Sequence, residues 1–385
     1  MKYQSKYLKV NWTDGMKLNK EIFMAQDQAL ASLSYDLIAT TLSPFRYGIV
    51  PDTENFNVSI AVDNQNTIKI TVLSCKAITQ GGAPISIAAT EPSGATDGQP
   101  GTLLQVPSGT SDTNYWAVLL VQPYDRVPTG TIDPTETPVR FPYVRSGYEV
   151  LLIEDSQIHQ YTQHPLALLI GKILVRAGTA KVDSDYLPPC ISVTASPDLL
   201  GLHAELDSFL SGLELSCSLI VQKIYKKSQQ NDLAELALFL CDRIMLHLGQ
   251  SITHFRWGLV HESPAMLIRE LVSLARIIKN TIDLRIGSGK DELMNYLCEW
   301  CELNPGELEA IFSNMAVLRY NHNDVNQAIH QIIEFAKVIG KLFSTLSTLE
   351  FIGKKKESGL FVKEEYTYNQ PGEQAAVKPK RRFFG

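Results

Sequence analysis

No run approaching the roughly eighteen apolar residues of a membrane-spanning helix occurs in the 385-residue chain. Residues 1–10 carry lysines but lack the apolar stretch of a secretory signal. These two absences lead us to expect a cytoplasmic protein. A basic excess is missing as well: the formal net charge is -6, which argues against a nucleic-acid partner. Catalytic signatures are also absent. There is no glycine-rich phosphate loop between a strand and a helix, and no G-x-S-x-G elbow. None of the histidines (His159, His164, His203, His247, His254, His261, His322, His330) has metalloprotease spacing.

Cysteine is sparse. Cys75, Cys190, Cys217 and Cys241 stand among apolar neighbours and read as small buried hydrophobes. Cys298 and Cys301 form one C-x-x-C, but no second pair exists to complete a zinc site, and His254 and His261 are not at a recognised partner spacing. The pair lies in a helical pattern, where a redox motif would want a strand-to-helix turn. Two thiols facing a helical core is the simpler reading, and we expect no metal or cofactor.

What is present begins at the N-terminus. Trp12 and Met16 flank the turn signal Thr13-Asp14-Gly15, and Leu18 follows. Asn19 can cap a helix bearing Ile22, Phe23, Gln26 and Leu30 on successive turns, with Asp27 beside them. An arm of this kind is pinned by its apolar residues, either onto its own domain or onto a partner.

Ser43-Pro44 ends that helix, and the pattern changes to strands. Asn57–Val62 and Thr67–Val72 alternate polar and apolar residues around the turn Asp63–Asn66, which predicts a hairpin with one buried face. Short strands follow at Ile85–Ile87 and Leu103–Val106, the latter in a Gly/Ser/Thr/Pro-rich loop over 90–113. Tyr115–Val121 predicts a central strand, 123–142 a proline-rich loop, and Tyr148–Ile153 and Leu166–Val175 two more strands. Strands this closely spaced predict a β-sandwich or barrel.

A boundary falls near Tyr186–Cys190, and helical periodicity takes over. One seam runs through Leu202, Leu206, Phe209, Leu213, Ser216 and Ile220. Another uses Leu267, Leu271, Leu274 and Ile278 behind Ser263-Pro264 as cap and first turn. Val325, Ile329, Ile332, Ala336, Ile339, Phe343 and Leu346 hold a heptad repeat that fits packing within one chain or between chains. The expected organisation is α+β: an arm and helix over 1–42, a β-sandwich over 43–190, a helical bundle over 191–352 and a basic tail over 353–385. The tail is polar in the middle and ends Lys380-Arg381-Arg382-Phe383-Phe384.

Tyr320-Asn321-His322-Asn323-Asp324 is the densest polar cluster. It contains a His-Asp pair, but Asn321 or Asn323 as cap and Asp324 in the first turn of the last helix explain it more simply. Asp183 and Asp185 read as a solvated loop face.

Trp12-Thr13-Asp14-Gly15-Met16-Lys17-Leu18, with Phe23, Gln26 and Asp27, resembles the N-terminal signature of the TssK family of type VI secretion baseplate subunits. That pattern runs loosely Trp-x-Glu-Gly-Met-x-Leu-x-Pro-Gln-His-Phe-Gln-Gln-Gln-Asp. Asp14 stands for its Glu, and Lys20-Glu21-Ile22 for its Pro-Gln-His. Weaker likenesses are Ser263-Pro264 with Arg269–Ala275, where Ser263 replaces a histidine, and the Tyr320–Asp324 box. The resemblance spans residues 1 to about 350. The chain is accordingly expected to be a shortened member without the family's usual C-terminal head domain.

The resemblance implies a non-enzymatic homotrimer, with a β-sandwich shoulder similar to those of phage receptor-binding proteins followed by a helical bundle. It implies binding to the wedge proteins TssF and TssG, at the inner face of the inner membrane, and a link to the membrane complex for which the C-terminal tail is the candidate segment. No nucleic acid or small-molecule substrate is implied. Trp12, Gly15, Met16, Leu18, Phe23, Gln26 and Asp27 become the expected partner-binding residues, and the Val325–Leu346 heptads the expected trimer contact. Two other readings are a phage-tail-like receptor- or carbohydrate-binding trimer using the loops at 90–113 and 123–142, and an enzyme built on Cys298 and Cys301.

Overall fold

The alternating segments form two antiparallel sheets, and the helical segments follow them along the chain. The computed structural model describes residues 7–52, 56–88, 99–106 and 112–353. Most of the loop expected over 90–113, and the tail from residue 354 onward, lie outside the described residues.

Helix α1 (Lys20–Thr41) precedes the sheets, with Asn19 Oδ1 accepting from Ile22 N at 3.0 Å as its cap. The first sheet is built on β3 (Thr67–Ile78). On one side lie β1 (Gly48–Ile49) and β2 (Phe56–Val62); on the other lie β4 (Pro84–Ile87) and β5 (Gly101–Gln105). The predicted β2–β3 hairpin is present. Asp63 Oδ1 accepts from the backbone N–H groups of Gln65 and Thr67, both at 2.8 Å, which fixes the turn.

The second sheet has the order β7 (Tyr143–Glu154), β6 (Thr113–Thr129), β8 (Ala167–Arg176), β9 (Thr179–Val182), with the short helix α2 (His159–Thr162) between β7 and β8. Strand β6 runs eight residues past the expected end at Val121 and takes in part of the predicted 123–142 loop. Its ladder is interrupted between Gln122 and Val127. Pro123, which has no N–H to give, falls in that gap, so the strand resumes beyond it.

Ile68, Ile70 and Val72 of β3, Ala117, Leu119 and Val121 of β6, and Leu168, Ile170 and Ile173 of β8 are all buried in one apolar cluster. The alternate residues Trp116, Val118 and Leu169 fill a second, smaller cluster with Tyr186. Strand β6 is therefore covered on both faces, which is why Tyr115–Val121 lacks polar alternation.

After a Pro188–Ile191 segment stitched to β1 through Ile49 N to Pro189 O (2.8 Å) and Ile191 N to Ile49 O (2.9 Å), the chain becomes helical. Helices α3 (Pro197–Lys226), α4 (Asp232–Trp257), α5 (Pro264–Asp283), α6 (Lys290–Cys301), α7 (Pro305–Val317) and α8 (Asn326–Thr348) follow. Helix α3 packs on α4 and α8, α4 on α5, and α5 on α7. Ser263 and Pro264 open α5 as expected, with Ser263 Oγ accepting from Ala265 N at 3.3 Å. Leu206, Leu213, Leu240, Ile244, Leu271, Leu274 and Ile339 join the cluster that begins in the sheets, so sheets and helices share one core.

Two expectations are corrected here. The heptad residues Val325, Ile332, Ala336, Ile339, Phe343 and Leu346 are buried within this chain, and Ile329 is half-buried against the same core. The helices of one chain fill the seam, so those side chains are not available as a contact between chains. Neither Asn321 nor Asn323 caps α8. The residue before it is Val325, with no side-chain cap, while Asn321 Oδ1 accepts from Asn323 N at 3.1 Å in a local turn.

A candidate interaction surface on the N-terminal arm

The arm leads into α1, and the signature residues separate into two groups by position. Gly15 adopts φ +76° in a turn closed by Met16 N donating to Thr13 O at 3.3 Å, a conformation that favours glycine. Gln26 Oε1 accepts from Val10 N at 3.3 Å and ties the arm to the helix. Asp27 pairs with Arg126 of β6 at 3.2 Å and ties the helix to the second sheet. Tyr124 of β6 completes the attachment, with its ring 4.3 Å from that of Tyr7 and 6.3 Å from that of Tyr35. The turn at Gly81-Gly82 lies directly against the α1 backbone at Tyr35 and Ala39. Gly15, Gln26 and Asp27 thus shape and fasten the arm.

The apolar members of the signature face outward. Trp12, Leu18 and Phe23 are 49%, 59% and 54% exposed, and Met16 is half-buried. The Trp12 and Phe23 rings are 6.4 Å apart. Trp12 and Phe23 thus form an exposed apolar group on an arm that a hydrogen bond and an ion pair hold in place. Leu30, which the sequence already placed on this helix, is 49% exposed, and Leu33 and Leu37, which it did not single out, are 40% and 60% exposed along α1. Their 3.5-residue spacing was visible, but spacing alone does not distinguish an outward face from an inward one.

The Tyr320–Asp324 box lies at the junction of sheets and helices. His322 is buried, and the carbonyl of Tyr47 accepts from its Nε2–H at 2.9 Å. That bond places the proton on Nε2 and leaves Nδ1 to accept from Tyr320 OH at 2.7 Å. Burial holds the imidazole pKa down to about 4. Tyr47 OH donates to Asn323 Oδ1, and Tyr186 OH to the Asn323 carbonyl, both at 3.0 Å. Burial pushes the Tyr47 phenol up to about 12 and raises Tyr186 and Tyr320 as well. Asp324 pairs with Lys172 of β8 at 2.6 Å, and the Lys172 ammonium lies 4.7 Å from the centre of the Trp116 ring. This is a neutral hydrogen-bond network with one ion pair at its edge. A histidine with both nitrogens engaged and so low a pKa is a poor proton shuttle at neutral pH. The geometry clamps β1, β8 and the start of α8 together.

Cys298 and Cys301 are buried in α6, and burial pushes the Cys298 thiol up to about 11. Thiols held protonated are weak ligands and weak nucleophiles. No grouping of three or more candidate metal ligands occurs among the described residues.

No protein-family model and no curated protein matches the sequence. Solved structures similar to this chain come from type VI secretion baseplates. A crystal structure of TssK is 16% identical over 89% of this chain and 70% of that one, with a TM-score of 0.48. A chain of the TssK-TssF-TssG baseplate subcomplex, determined by cryo-electron microscopy, is 16% identical over 86% of this chain and 100% of that one, with a TM-score of 0.46. A chain of the type VI secretion baseplate complex is 15% identical over 88% and 99%, with a TM-score of 0.48.

Proposed function

We propose that this chain is a divergent TssK-like subunit of a type VI secretion baseplate, acting by binding and not by catalysis. The observation that carries the reading is the division of labour in the arm. The polar signature residues Gln26 and Asp27 secure it, while Trp12, Leu18 and Phe23 stand half or more exposed. Aromatic anchors such as Trp12 carry a large share of the energy at protein interfaces when they enter a pocket on a partner.

The proposed partners are wedge proteins of the TssF and TssG type, held by the shoulder formed from the two sheets. The helical region follows the shoulder in a homotrimer, whose repeated arms let modest contacts add up. Residues beyond 353 are the proposed link to the membrane complex, and the site of action is the cytoplasmic side of the inner membrane. No helix among the described residues is long and apolar enough to cross a membrane.

The test is co-elution of the full chain with co-expressed wedge proteins on size exclusion with light scattering. The parent chain is expected to co-elute, and the variant W12S/L18S to lose the wedge proteins while keeping its circular dichroism. A parent chain that ignores the wedge proteins overturns the reading.

A further inference from the structure

We infer that residues 354–362 of this same chain dock in the groove between α3 and α4, which leaves residues 363–385 to reach further partners. The inference does not rest on the baseplate reading. It stands on the groove, on the place where the described chain leaves the body, and on charge.

The groove has a volume of about 600 Å³ and is lined by Val221 and Tyr225 of α3, Leu238, Phe239 and Met245 of α4, and Arg285. Tyr225 is 70% exposed there. The core-facing residues Leu213, Cys217, Ile220 and Ile224 of α3 are buried, so the groove lies on a different side of that helix from the shared core. A concavity of this size takes a few side chains of a peptide.

The chain leaves the body beside one end of this groove. Gln229 Oε1 accepts from Ile352 N, and Asn231 Nδ2 donates to the Ile352 carbonyl, both at 3.0 Å. Gln229 and Asn231 belong to the connection between α3 and α4, the two helices that wall the groove. Met245 lies about 21 Å along α4 from Asn231. The chain from Gly353 to Leu360 spans up to about 23 Å when extended. Leu360, Phe361 and Val362, the first apolar run after Gly353, therefore reach Leu238, Phe239 and Met245.

The charges agree in sign and in order. Glu235 stands in the first turn of α4, on the groove, and has no ion-pair partner among the described residues. Lys354, Lys355 and Lys356 are the first side chains to arrive at that end. Arg285 comes next, 4.4 Å from the centre of the Phe239 ring and without a carboxylate partner among the described residues. Glu357 follows the lysines. The apolar run comes last, where the groove wall is apolar. A segment tethered this closely is held at millimolar effective concentration, so a separate partner has to displace it.

The experiment uses the full chain with two added thiols, all six native cysteines being buried. Gln222 is exposed and lines the groove, whereas Lys227 is exposed at the end of α3, nearer Gln229 and outside the groove. A tail free in solution favours the nearer position. With diamide as oxidant, Q222C/V362C is expected to close an intrachain disulfide at least about ten-fold faster than K227C/V362C, at parent-like circular dichroism. Adding L360S/F361S is expected to abolish that preference without moving the urea midpoint of the body. Equal rates, or faster closure by K227C/V362C, overturn the inference. So does a preference that survives L360S/F361S. A disulfide between copies in place of the intrachain one gives the groove to a neighbour's tail and overturns it too. No wedge protein enters this assay, so its failure leaves the baseplate reading to the co-elution test.

Discussion

His322 makes the junction between sheets and helices sensitive to acid, in a window that separates it from the carboxylates. Its imidazole is neutral in the folded chain, with a pKa near 4 against an ordinary value of 6.5. Above pH 6.5 the folded and unfolded chains are both neutral at this position, and its contribution is fully present. As pH falls below 6.5 the unfolded chain takes up a proton that the folded chain refuses, and stability drops by about 1.4 kcal/mol per unit. The loss amounts to roughly 2 kcal/mol at pH 5 and approaches about 3 kcal/mol at pH 4, where the folded site begins to protonate.

The assay is urea unfolding at pH 7, 6 and 5, comparing the parent with H322Q. Glutamine retains an N–H for the Tyr47 carbonyl and an oxygen for Tyr320, so the substitution is expected to cost about 1–2 kcal/mol at pH 7. Burial also lowers the pKa of His164, but that group is present in both proteins and cancels in the comparison. The parent should lose stability towards pH 5 more steeply than H322Q, by roughly 2 kcal/mol over the window. Parallel pH profiles would refute the assignment of a buried neutral His322.

Two further outcomes follow from packing. Lys172→Met strands the Asp324 carboxylate in a largely buried position, and should destabilise the chain by about 3 kcal/mol, with Asp324→Asn in the same background restoring part of the loss in a double-mutant cycle. Gly48→Ala would place a Cβ 2.0 Å from the Pro189 carbonyl oxygen at φ +109°, and should cost at least ~3 kcal/mol in urea unfolding or leave the chain insoluble.

The strands were legible in the sequence wherever one face is buried and the other wet, as in β2 and the first half of β3, because period-two alternation records burial directly. Strand β6 was legible as central because it is covered twice, yet its continuation past Pro123 depended on a bulge that composition does not announce. Helix α4 was not singled out, although Asn231 caps it by accepting from Ala234 N at 2.8 Å. The two heptad patterns are the sharper lesson. Helix α8 and helix α1 carry the same period, but the core fills one seam and leaves the other outside, and only tertiary packing decides which. The Tyr320–Asp324 box stood out as polar, but its partners lie far off in the chain. Tyr47 is 276 positions from Asn323, and Lys172 is 152 from Asp324. Local capping rules had no access to those contacts. The arm motif was visible from its residue types, and the structure divided it into fasteners and exposed apolar groups.

The apolar cluster that begins between the sheets continues without a break into the helices, and the His322 network stitches its edge. A core shared across the junction means that any hinge motion between sheets and helices would have to break apolar contacts. Cutting the chain between Cys190 and Pro197 would open the interior of both pieces to water, and neither is expected to fold as a soluble unit alone.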